Sequence, residues 1–186
     1  MEAGGAARLF ALTEEIRAEF PRFRIVRKAD SPFQRLIHRA LWAVTLGGMR
    51  SYLDGYVTTM GQAVYVPAGW DDEDPDHQVV TLRHERVHMR QFARLTFPGM
   101  AILYLLLPVP MGLAYARARL EWAAYRETIR ATYEIYGPVR IRQPGFREHI
   151  IAQFTGPSYG WMWPFRSRIE AWYHAAIAEL EQNGAA

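Results

Sequence analysis

Between Arg94 and Arg117 the chain carries no charge over 22 residues, LTFPGMAILYLLLPVPMGLAYA. A helix that crosses a bilayer needs about 20 consecutive apolar residues. Pro98, Gly99, Pro108, Pro110 and Gly112 interrupt this run and leave Met100 to Leu107 as its one unbroken helical core, which is too short to span. The segment is expected to form a buried hairpin or a short core helix. The alternative is a loop through 97–115 that dips into a membrane face or meets an apolar partner.

The residues on either side read as helices. Leu9, Leu12, Ile16 and Phe20 recur at helical spacing, and Pro21 closes that helix. Phe23 and Ile25 alternate with arginines, as in a strand. Ser31 followed by Pro32 predicts a helix start, and Gly47-Gly48 a stop after about Leu46. GYVTTMGQAVYVPAGW (55–70) predicts a hairpin with strands near Tyr56–Thr59 and Gln62–Pro67. Asp74 with Pro75 opens a long helix ending near Thr96. Further helices are expected over 113–136, 145–154 and 165–182, with GPSYGWMWP as a loop. The pattern is α+β: a small antiparallel sheet or hairpin packed on a mainly helical body, forming a single domain over residues 1–186.

Composition narrows the chemistry. There is no cysteine, which excludes disulfides, thiol catalysis and thiolate ligands. A metal would have to sit on His, Asp or Glu. The net charge of +3 is spread over scattered arginines, with Lys28 the one lysine. No basic run tracks phosphates, so nucleic acid is not an expected partner. The N-terminal stretch is amphipathic and lacks the basic start and apolar run of a signal peptide, so a cytoplasmic location is the expectation.

The chemistry concentrates in TLRHERVHMRQF, residues 81–92. On a helix, His84 and His88 stand one above the other and can direct two imidazole nitrogens at one ion. Glu85 is rotated away from that pair yet beside it, placed to handle a water and not to ligate. Val79, Val80, Leu82, Val87, Met89 and Phe92 spread apolar character around the helix and predict a buried, central one. Two histidines and a glutamate are costly to bury without partners, and a metal removes most of that cost.

A strand followed by an HExxH helix and a later helix resembles the zincin metallopeptidases. The branch with HExxHxxGxxH does not fit, because Met89-Arg90-Gln91-Phe92-Ala93-Arg94 follow His88. The gluzincin branch takes a glutamate from a downstream helix, in Glu-x-x-Ser/Ala-Asp among its thermolysin-like members. Glu121-Trp122-Ala123-Ala124-Tyr125 is similar, with the small residue in register. The resemblance covers about Gln62 to Tyr125 and implies Glu121 as third ligand. Tyr125 stands where the branch has an aspartate, and its oxygen is expected to accept a ligand histidine's second N–H. Glu127, Glu134, His149 and His174 are competitors for the third position. Glu127 sits beside Arg126 and Arg130 and reads more simply as a surface charge, and Glu134 is similar.

The resemblance implies zinc and hydrolysis of a peptide or protein substrate, with Glu85 as general base toward a zinc-held water. Tyr159, His174 and Arg166 are the candidates for a donor to the oxyanion. The strand at Gln62–Val66 is expected, as in zincins, to be an edge strand that pairs with extended substrate. Trp161, Met162 and Trp163 would wall the cleft, touch a membrane surface or pack in the core. Two other readings stand beside this one: a zinc-binding interaction module without catalysis, and a membrane-associated hydrolase of a non-peptide amide.

Overall fold

The computed structural model describes residues 2–44, 55–103, 114–156 and 162–184. The chain is mainly helical with one small sheet, an α+β arrangement. It divides into two compact units, Met1–Met89 and Arg90–Ala186.

The first unit opens with α1 (Glu2–Glu19), whose Leu12 and Ile16 are buried together with Phe20 just beyond its end. Of the four residues expected at helical spacing, Leu12, Ile16 and Phe20 are therefore buried and Leu9 is half-buried. Strand β1 (Arg24–Arg27) and a 3-10 turn (Lys28–Asp30) lead to α2 (Pro32–Val44). Ser31 caps α2 as expected: the Gln34 amide donates to its Oγ at 3.3 Å. The stop expected at Gly47-Gly48 lies outside the described residues. Strands β2 (Thr58–Met60) and β3 (Ala63–Val66) form the expected hairpin, with Thr59 opposite Val64 and Met60 opposite Ala63. Gly61 takes the first turn position at φ 62°, where only glycine is unstrained and where a II′ hairpin turn needs it.

The sheet corrects one expectation. Its order is β1-β3-β2, and β1 runs parallel to β3, from Arg24 beside Ala63 to Arg27 beside Val66. The sheet is thus mixed, and antiparallel pairing holds for the hairpin alone. A parallel pair needs a long crossover, which α2 supplies between β1 and the hairpin. A second correction follows from the same order. β3 is the central strand, both its edges are taken, and it cannot be the edge strand that receives a substrate.

A 3-10 turn (Ala68–Asp72) precedes α3 (Pro75–Ala101), and the unit boundary falls inside that helix. The Asp76 amide donates to Asp74 Oδ1 at 3.1 Å, so Asp74 caps α3 ahead of Pro75. Arg8 clamps Asp76 through Nε at 2.9 Å and Nη2 at 2.6 and 2.7 Å. Gly5 permits that approach, since a Cβ there would meet Asp76 Oδ1 at 3.2 Å and Pro75 Cβ at 3.3 Å. The expected end of α3 near Thr96 is where its regular backbone breaks, at φ 59° and ψ 172°. Pro98, which lacks an N–H and crowds the preceding turn, lies two residues on.

In the second unit α4 (Tyr115–Tyr136) is followed by α5 (Pro138–Arg142), α6 (Pro144–Thr155) and α7 (Arg166–Gly184). Gly137 at φ 80° ends α4 as expected, and Pro138 at once starts α5, a five-residue helix too short to show a period in sequence. The core gathers Trp122, Ile129, Ile141, Ile151, Phe154 and Ile169 among others. Trp122 packs against Phe154 and Trp172 at 6.0 and 5.5 Å between ring centroids. No helix among the described residues is long and apolar enough to cross a membrane. Residues 104–113 of the uncharged run lie outside them.

Candidate metal centre

Helix α3 is pinned at its start by Asp74 and Arg8, and again by Gln78, whose Nε2 donates to the Trp70 carbonyl at 2.6 Å. On its flank Arg86 reaches Glu15 at 2.9 Å and Glu19 at 2.7 Å on α1. These contacts anchor the helix to the turn before it and to α1.

His84 and His88 bring their Nε2 atoms to 3.2 Å, with ring centroids 4.9 Å apart and planes inclined at 67°. Two nitrogens bound at about 2.0–2.1 Å to one tetrahedral ion stand about 3.3 Å apart, so the pair already has the spacing of a chelate. Two cationic rings would not share that separation. Burial, and after it the neighbouring His88, holds His84 well below the ordinary histidine range. That is the neutral form a metal needs.

Glu121 comes from the first half of α4 and is 1 % exposed. Gln91 Nε2, three residues on from His88, donates at 2.9 Å to the carbonyl of Leu120, the neighbour of Glu121. His84, His88 and Glu121 each offer one ligand atom, and these three atoms all lie within 4.8 Å of one another. A two-histidine, one-carboxylate donor set of this kind could hold a divalent metal ion.

Glu85 points elsewhere. It is 5 % exposed, and Thr59 Oγ1 donates to its Oε2 at 2.7 Å. Burial pushes its carboxyl up from the ordinary glutamate value, while the charge of His88, the Thr59 hydrogen bond and the charge of Lys28 pull it back. The carboxylate is thus buried and tethered through one oxygen, directly after His84 in the chain.

The remaining expected residues are spread more widely. Tyr125 is buried one turn after Glu121, its ring 5.4 Å from that of Phe154. His174 is exposed on α7 and is no member of the ligand group. Tyr159 and Trp161 lie outside the described residues. Arg166 is committed to Glu148, at 2.6 and 2.8 Å, and to Glu170 at 2.9 Å. Glu127 pairs with Arg130 at 3.7 Å, as a surface charge would, and Glu134 and His149 are exposed. Met162 is buried, whereas Trp163 packs on Tyr115 and Phe165, both at 5.0 Å. With Tyr115, Arg168 and Trp172 it lines a cavity of about 410 Å³ that includes none of the ligand residues.

Two residues escaped the sequence reading. Thr59 is one of several β-branched residues in a strand, and nothing local marks the one that meets Glu85. Lys28 carries a signal, as the one lysine among arginines, but its burial is visible only in three dimensions. Set against known protein families, curated proteins and solved structures, the chain matches none of them.

Proposed function

We propose that this chain is a zinc-dependent hydrolase of gluzincin type that cleaves peptide bonds. The observation that carries the reading is the convergence of His84, His88 and Glu121 ligand atoms within 4.8 Å, with buried Glu85 directly after the first ligand. A purely structural metal site has no use for such a base. Zinc held there supplies a Lewis acid that polarises a carbonyl and acidifies water.

The chain's own residues do the rest. His84 and Glu121 complete with His88 the ligand set, and α3 and α4 hold them in place. Thr59 occupies Oε2 of Glu85, so Oε1 takes the proton of the attacking water and later delivers it to the leaving amine. Tyr125 is assigned as acceptor of a ligand histidine's outer N–H, which fixes the tautomer. The peptide bond is the target implied by the gluzincin-like Glu121-Trp122-Ala123-Ala124 register.

The test has two arms. Protein purified without added zinc should carry the metal, by elemental analysis, and lose it in His84→Ala and His88→Ala. Wild type should cleave members of a broad peptide library, and Glu85→Gln should retain zinc while cleaving about 10²- to 10⁴-fold more slowly. Zinc retention without cleavage of any peptide would instead support an interaction module.

A further inference from the structure

Helices α4 and α7 each carry an aromatic residue and an arginine four positions apart, Tyr115 with Arg119 and Trp172 with Arg168. Such pairs share one face of a helix. The Arg119 guanidinium lies over the Trp172 ring at 5.2 Å, so the two pairs meet. Trp163 packs on both Tyr115 and Phe165, 5.0 Å from each. The Ala114 amide donates to the Met162 carbonyl at 3.1 Å and ties the start of α4 to the residue before Trp163. Tyr115 and Phe165 are half-exposed, and Arg119 and Arg168 are exposed. The positive charge here is left uncompensated. Arg126, Arg130, Arg142, Arg147 and Arg166 each hold a glutamate, whereas neither Arg119 nor Arg168 forms an ion pair with a described residue. Tyr115 also belongs to the uncharged run 95–116, in which Phe97 and Ile102 are exposed as well. Tyrosine and tryptophan rings at a surface with free guanidinium groups beside them match a membrane–water interface, where rings sit at the headgroup level and arginines meet lipid phosphates. An acidic protein partner would account for the arginines but not for the exposed apolar side chains of the uncharged run. A bilayer accounts for both.

We infer that this aromatic–arginine face of α4 and α7 docks on the surface of a bilayer that carries anionic phospholipid. The rings of Tyr115, Trp163 and Phe165 enter the headgroup layer, and Arg119 and Arg168 pair with phosphate oxygens. The contact is peripheral, since no helix among the described residues is long and apolar enough to cross. The inference does not rest on the hydrolase reading.

The experiment is flotation of the full chain with vesicles of phosphatidylcholine alone, or of phosphatidylcholine and phosphatidylglycerol in equal parts. The protein should float with the mixed vesicles, bind pure phosphatidylcholine more weakly, and leave the mixed vesicles as salt rises. Arg119→Gln and Arg168→Gln should each weaken binding to the mixed vesicles about 5-fold. Tyr115→Ser and Phe165→Ser should weaken binding to both kinds. Arg142→Gln removes the same charge beside Glu181, about 20 Å along α7 from Arg168, and should bind as wild type does. An unchanged Tm shows that each variant folds; should a serine variant unfold, the two glutamine variants at Arg119 and Arg168 decide. Wild type that stays in the soluble fraction with both kinds of vesicle overturns the inference, as does binding that the face substitutions leave unchanged. An equal loss in Arg142→Gln would mean attraction by net charge alone and overturns it too. So does release by inorganic phosphate at an ionic strength where chloride releases nothing, because the arginines then serve a free anion and not a bilayer.

Discussion

The Thr59 hydroxyl donates a 2.7 Å hydrogen bond to Oε2 of Glu85, joining the middle of β2 to the helix that carries both histidines. The bond crosses 26 residues of sequence and reaches a carboxylate that is 5 % exposed. Hydrogen bonds to charged groups contribute about 1.5–3 kcal/mol, and a buried acceptor left bare costs a comparable amount.

Thr59→Val keeps the shape and removes the donor. It should destabilise the fold by about 1–3 kcal/mol and lower kcat about 10-fold, with zinc content unchanged, because Glu85 loses one of its anchors while the ligands keep theirs. Thr59→Ser should restore most of both. Denaturant unfolding and steady-state kinetics on the three proteins make the comparison. An unaltered kcat in Thr59→Val would mean that the tether is structural only.

Zinc should stabilise the protein by mass action. At a free concentration about 100 times Kd the gain is about 2.7 kcal/mol over chelated protein, read as a concentration-dependent Tm. Glu121→Gln should weaken zinc binding by more than the roughly 10- to 100-fold typical of an outer hydrogen-bond partner. Glu127→Gln should leave it unchanged, since Glu127 pairs with Arg130 and stands outside the ligand group. Competition with a chromogenic chelator separates the two variants. A larger loss in Glu127→Gln would move the third ligand about 1.7 turns along α4.

How far the sequence revealed these features depended on their range. His84, Glu85 and His88 were legible because four residues on one helix fix their own geometry. The hairpin was legible because Gly61 lies between two β-branched runs. The partner of β1 was not: a strand pattern says which residues alternate, not which strand they join, and the Arg24–Ala63 pairing crosses the whole of α2. For the same reason the central place of β3, and with it the loss of the expected substrate edge, appears only in the folded sheet. Glu121 was found through register with a family pattern; composition and periodicity alone do not distinguish it from Glu127. Thr59 depends on how β2 packs against α3 and could not be placed at Glu85 without it.

Tyr173 offers a pH readout remote in sequence from the ligands. Its hydroxyl donates to the Ile141 carbonyl, and burial pushes its phenol up from 10.0 to about 12, with Arg147 opposing. The folded state therefore holds this proton after the unfolded state has released it. The contribution to stability is complete below pH 10 and is lost as pH rises toward about 12. Stability should fall more steeply over that window in wild type than in Tyr173→Phe, which has no phenol to ionise. Absorbance titration at alkaline pH should show one late-ionising tyrosine in wild type that Tyr173→Phe lacks.

Arg86 separates the two sides of α3. It lies two residues beyond His84, about 200° around the helix, and holds Glu19 at 2.7 Å and Glu15 at 2.9 Å. Its side chain is 19 % exposed, whereas that of Glu15 is 63 % exposed, so solvent screens part of the attraction. Arg86→Ala should cost about 1 kcal/mol and lower Tm by about 2–4 °C. The histidines meet each other on another side of α3, so zinc affinity and kcat should stay at wild-type values. If Arg86→Ala instead loses zinc, the contacts to α1 do more than anchor the helix: they set the direction in which His84 and His88 point, and the ligand geometry then depends on α1 as much as on the four-residue spacing.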